Sequence, residues 1–150
     1  MFVLPVLLDH SQTKELDCLS IQLAFKNQDT LKVRTSLKLI KSLYNIKDYD
    51  RTLKYIIESE KLSSSLNYIK GIAEFSYFKT LIYAQKGDYI NAVSSYEKSK
   101  NLYQNLKDSL GVTKINNSIS SIEIKQGNYS KGIQHALATI NQLEKKNLKK

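Results

Sequence analysis

Little in this sequence interrupts a helix. It has one proline and five glycines in 150 residues, so long helices joined by short turns are expected. The single cysteine, Cys18, excludes an intrachain disulfide and the paired-cysteine metal signatures. It lies beside an apolar stripe and reads as a small, partly buried hydrophobe. No run approaches the ~18 apolar residues that a membrane span needs. The glycines are too dispersed for a phosphate-cradling loop. His10 and His135 stand alone, without a Cys, His or carboxylate at ligand spacing on their own helices, so neither a metal nor a cofactor is expected. Lone Cys18 has no identifiable base, and no catalytic constellation is present, so the chain does not read as an enzyme.

Acidic residues are also short. Fourteen Asp and Glu against 23 Lys and Arg leave a net charge of +9. That balance is compatible with an anionic partner, and a solvated basic surface is the commoner reading. The lysines are spread along the chain, however, and only the tail from Lys145 to Lys150 is dense. No groove-reading motif accompanies the charge, so nucleic acid is not the expected partner. Met1 to Leu8 is apolar but short, lacks a basic flank, and ends at Asp9 and His10. Residues 1–11 read as a segment packing on the first helix, and the expected compartment is the cytoplasm. A degenerate export signal, and so an exported protein, is the other reading.

The positive signal is a period. Lys47-Asp48-Tyr49, Gly87-Asp88-Tyr89 and Gly127-Asn128-Tyr129 recur forty residues apart, as do Gly71 and Gly111. A fixed spacing of this size marks a repeat architecture. Between these marks apolar residues recur at helical spacing. A leading helix over 12–26, capped by Ser11, carries Leu16, Leu19, Leu23 and Ala24. Helical hairpins follow over 30–62, 67–106 and 109–146, with Ser63-Ser64-Ser65 read as a helix–helix turn. The expected fold is all-α, an α-solenoid of antiparallel hairpins with about seven helices, occupying residues 12–150. Each hairpin has apolar faces that only its neighbours can cover. Tyr49, Tyr89 and Tyr129 are assigned to packing between hairpins. Leu137, Ile140 and Leu143 leave an apolar edge on the last helix that favours a homodimer.

The turns resemble those of tetratricopeptide (TPR) repeats in a forty-residue form. Thr80, Tyr83, Gly87, Asp88, Tyr89, Ala92 and Tyr96 match that pattern. In the next unit Ser120, Gly127, Asn128 and Tyr129 match, while Glu123 replaces an aromatic, and Gly132 and Ala136 replace Ala and Tyr. In the first unit Ile40 stands at the small-residue position and Lys47 replaces Gly. The order Lys-Glu-Leu-Asp, then Asp-Thr-Leu-Lys-Val, also resembles the N-terminal sensor portion of bacterial two-component histidine kinases and transcription regulators. The resemblance implies a protein-interaction scaffold in a bacterial signalling system, or a ligand-sensing or dimerisation module of such a regulator.

It also implies a binding face, because in that family the first helix of each hairpin lines a concave surface. Counted back from each turn, the residues placed there are Arg34, Leu37, Lys41, Tyr44 and Asn45; then Glu74, Tyr77, Leu81 and Gln85; then Lys114, Asn117, Ser121 and Lys125. Cations attract carboxylates, amides hold peptide backbone, and tyrosine supplies contact area at low entropic cost. The expected ligand is an acidic peptide or one presenting its C-terminal carboxylate.

Overall fold

The computed structural model describes residues 4–147. Seven helices run through them: α1 (Leu4–Phe25), α2 (Thr30–Asn45), α3 (Tyr49–Ser65), α4 (Ile69–Gln85), α5 (Tyr89–Asn105), α6 (Ser109–Lys125) and α7 (Tyr129–Asn147). The fold is all-α, a repeat of helical hairpins, and the described residues contain no strand. None of the described helices is long and apolar enough to cross a membrane. The chain forms two compact units, Met1–Gly71 and Ile72–Lys150. The dense basic tail expected from Lys145 onward lies outside the described side chains.

Five turns set the frame, and they share one geometry. Lys47, Asn67, Gly87, Lys107 and Gly127 all have positive φ, between 51° and 81°, at twenty-residue intervals. At each turn the left-handed residue donates its N–H three residues back. The next residue donates five back, as in Lys47 N to Tyr44 O and Asp48 N to Leu43 O, both 3.0 Å. This pair of bonds satisfies the last helical carbonyls. The second turn residue then opens the next helix. Asp48, Asp88 and Asp108 each accept an N–H of the following first turn on their side chains, which satisfies one of its orphan donors. One aspartate thus ends one helix and starts the next, and no room remains for a longer loop.

The second helices of the first two hairpins, α3 and α5, bury the same stripe at spacings of four, three and four. On α3 it is Thr52, Ile56, Ser59 and Ser63. On α5, forty residues on, it is Ala92, Tyr96, Ser99 and Tyr103. Small residues on this stripe let backbones approach; the hydroxyls of Thr52 and Ser99 find carbonyls, whereas Ser63 Oγ is buried without a partner. Ser99 Oγ donates to Ala73 O at 2.9 Å. Ser120 Oγ on α6 donates to Gly132 O on α7 at 2.7 Å. Such pairing removes most of the cost of burying a hydroxyl. In the first unit Leu16 and Leu19 of α1 pack with Leu39 and Leu43 of α2, and Leu23 and Tyr55 flank them. In the second unit Ala73, Ala84, Ala92, Tyr96, Tyr103, Ile115, Ile119 and Ile122 form one core.

Several expectations need correction. Ser11 does not cap a helix, because α1 already runs from Leu4; Pro5 in its first turn is tolerated there, where no N–H is needed. Ser63-Ser64-Ser65 is not a turn. These residues end α3, and the chain reverses at 66–68. Ser63 is buried, and Ser64 and Ser65 donate to helical carbonyls. Cys18 is exposed rather than partly buried, and Gln22 Nε2 donates to its sulfur at 3.4 Å. Tyr129 is 64% exposed and does not pack between hairpins, whereas its counterpart Tyr89 packs on the second core.

Candidate functional site

α4 and α6 hold equivalent places in successive hairpins, and residues forty apart meet across them. Lys114 Nζ donates to Glu74 Oε2 at 2.7 Å. The same ammonium lies 3.9 Å from the centroid of the Tyr77 ring and 5.8 Å from that of Phe78. Both partners of the ion pair are partly shielded, with 35% and 22% of their side chains exposed. Ring and carboxylate therefore hold this lysine together. Three turns further on, Lys125 Nζ donates to Gln85 Oε1 at 3.1 Å. A neutral amide leaves that lysine's charge unmatched.

Between these contacts lies a cleft of about 180 Å³ lined by Thr80, Leu81, Ala84, Gln85, Ser118, Ser121, Ile122 and Lys125. Its floor is apolar, from Leu81, Ala84 and Ile122. Its rim carries hydroxyls, an amide and the Lys125 cation. Asn117, Ser121 and Lys125 are exposed at successive four-residue steps on α6 and so share one side of that helix. Nearby, the Tyr96 hydroxyl donates to Asn116 Oδ1 at 3.2 Å. The Tyr103 ring is fully buried, and its hydroxyl lies beside the Glu74 carboxylate without reaching hydrogen-bond geometry. Burial pushes its pKa well above the ordinary 10.0, and the carboxylates of Glu74 and Asp108 push the same way.

The second unit thus gathers Tyr77, Gln85, Lys114, Ser121 and Lys125 on one face, with Asn117 beside them. The first unit arranges its candidates differently. Arg34 and Lys41 are exposed on α2, seven residues apart and on the same side. Tyr44 pairs with Tyr49, ring centroids 5.7 Å apart. Asn45 lines a small hollow of about 80 Å³ with Glu15, Leu16, Ser42 and Ile46, on the α1 side. Sequence reasoning missed Thr80 and Ser118 as cleft residues. It also treated Lys114 as a free cation. The signal against that was present, because an acid and a base at equivalent repeat positions are placed to meet.

Among the described residues no three His, Cys, Asp or Glu side chains converge on a metal position. His135 is half-buried, and its backbone carbonyl accepts from Thr139 Oγ1 at 2.9 Å. Comparison with protein-family models and with curated proteins gives no match.

Proposed function

We propose that this protein is a non-enzymatic, TPR-like scaffold that binds an extended acidic segment of a partner on the α4–α6 face of its second unit. One observation carries the reading. The cleft combines an apolar floor with a cation held in place by a neutral amide, Lys125 on Gln85. A carboxylate of the partner would meet Lys125, and its backbone would meet the exposed Asn117 amide and Ser121 hydroxyl. The ion pair to Glu74 makes Lys114 a wall of the site rather than its anion receptor. The excess of basic residues supports an acidic partner through faster encounter.

An array of Asp- and Glu-containing decamers with free C-terminal carboxylates, followed by calorimetric titration of the best binder, tests this. Lys125→Ala should weaken binding about 10-fold, equivalent to ~1.4 kcal/mol. Lys114→Ala should mainly lower stability. Equal affinity for wild type and Lys125→Ala would refute the site.

A further inference from the structure

The outer face of α7 carries a continuous apolar stripe. Tyr129, Ile133, Leu137, Ile140 and Leu143 are 64%, 55%, 54%, 49% and 40% exposed. The stripe borders the buried edge of the same helix, which runs through Gly132 and Thr139. Of the corresponding α5 residues, Tyr89 and Val93 pack on the second core and Tyr103 is fully buried within it, whereas the places of Leu137 and Ile140 hold the charged Glu97 and Lys100, exposed and half-buried. We propose that a second copy of this chain covers the stripe, with the two α7 helices antiparallel about a two-fold axis near Ala136 and Leu137.

Three features select this occupant. The seam Ile133, Leu137, Ile140 is spaced four and three, the pattern of paired helices. Paired antiparallel about a point between Ala136 and Leu137, Ile133 meets Ile140 of the second copy and Leu137 meets its Ala136, each contact occurring twice as an isologous interface requires. Charge sets the direction. Glu144, exposed, continues the seam at its C-terminal end. The first turn of α7 holds no acidic residue, although a helix N-terminus favours one. Antiparallel pairing brings Glu144 of each copy to the first turn of the other, beside the Tyr129 hydroxyl, which can donate to it. Parallel pairing would set the two Glu144 carboxylates side by side. The five side chains offer on the order of 500 Å² per copy, or about 1,000 Å² for the pair, the lower limit for a specific interface. The dimer should therefore be weak, with Kd on the order of 10 µM.

Another occupant of the stripe would be α1 of a neighbouring copy, where Ile21 and Phe25 are 60% and 87% exposed. That head-to-tail contact does not close and would build open chains. Sedimentation velocity from 1 to 200 µM separates the cases. The expected result is a monomer–dimer equilibrium that stops at two copies. Leu137→Glu should abolish it with the helical circular dichroism unchanged. Glu144→Lys should weaken it roughly 10-fold through two symmetric contacts. In a Cys18→Ser background, Leu137→Cys should be joined to its copy by a short bismaleimide, while Ile90→Cys, exposed on α5, should not. A chain that stays monomeric, one that grows past the dimer, or a dimer indifferent to both Leu137→Glu and Glu144→Lys would overturn the proposal. So would a monomer whose stripe is taken by a different protein's helix.

Discussion

Ser63 and Tyr103 stand forty residues apart at the same place on α3 and α5, and each faces a glycine of the following helix. In the second unit a methyl added at Gly111 would run into the Tyr103 ring. In the first unit a methyl at Gly71 would meet Ser63 Oγ at 2.7 Å, the Tyr68 ring at 2.8 Å and Val33 Cγ1 at 3.0 Å. Both glycines thus sit against an aromatic ring, but the ring comes from different positions. One hairpin supplies it from the helix end, Tyr103, and keeps Asp108 as the cap. The other supplies it from the turn, Tyr68, and leaves a small serine on the helix. The repeat conserves the filled volume and the backbone turn, not the residue that fills it.

The difference can be broken first at its more deeply buried ring, Tyr103. Tyr103→Ala should cost about 3–5 kcal/mol, measured by urea unfolding, because it empties a fully buried site. The exchange can then be transplanted. Ser63→Tyr alone should overpack the first unit by about 1–3 kcal/mol, and Tyr68→Asp alone should leave a void. Combined, Ser63→Tyr with Tyr68→Asp rebuilds the second unit's solution, so a double-mutant cycle should give a favourable coupling of about 1–3 kcal/mol. Additive costs would mean that the two rings do not fill equivalent space.

The turns give a smaller effect. Lys107 holds φ at 54° and Gly87 at 76°. A side chain with a Cβ resists that conformation by about 1 kcal/mol. Lys107→Gly should therefore raise stability by up to ~1 kcal/mol, and Gly87→Ala should lower it by about as much. Lys47→Gly should behave like Lys107→Gly, since the geometry is the same.

The smallest effect concerns the Tyr103 hydroxyl, buried without a hydrogen bond. Tyr103→Phe should be neutral or slightly stabilising at neutral pH, because no partner is lost. It should matter in alkali. The native phenol's pKa lies above its ordinary 10.0. The native state therefore holds this proton more tightly than the unfolded chain does. Its contribution is complete below pH 10 and declines as pH rises past it. Wild type should lose stability above about pH 10 faster than Tyr103→Phe, read from melting temperatures.

The forty-residue period was legible because Tyr49, Tyr89 and Tyr129 follow similar turn residues. The twenty-residue period of the backbone was not. Turns at 67 and 107 use Asn and Lys at the left-handed position rather than Gly, and Tyr68 replaces the capping aspartate. Ser63-Ser64-Ser65 looked like a polar interruption because hydroxyls serve two purposes. In a loop they bond turns, and on a tightly packed helix they donate to nearby carbonyls. The α3 stripe of Thr52, Ile56, Ser59 and Ser63 was hidden for the same reason, since hydropathy does not mark small buried polar residues. Of the candidate site, the α4–α6 residues could be counted from the turns. The Glu74–Lys114 pair required asking what stands forty residues from each charge.

Backbone NMR tests the central claim most directly, that five identical turns at twenty-residue intervals set the repeat. Cα and Cβ shifts with backbone couplings should report left-handed conformations at Lys47, Asn67, Gly87, Lys107 and Gly127, and unbroken helix from Tyr49 through Ser65. Helix running through Asn67 or Lys107, or a break at Ser63-Ser64-Ser65, would contradict it.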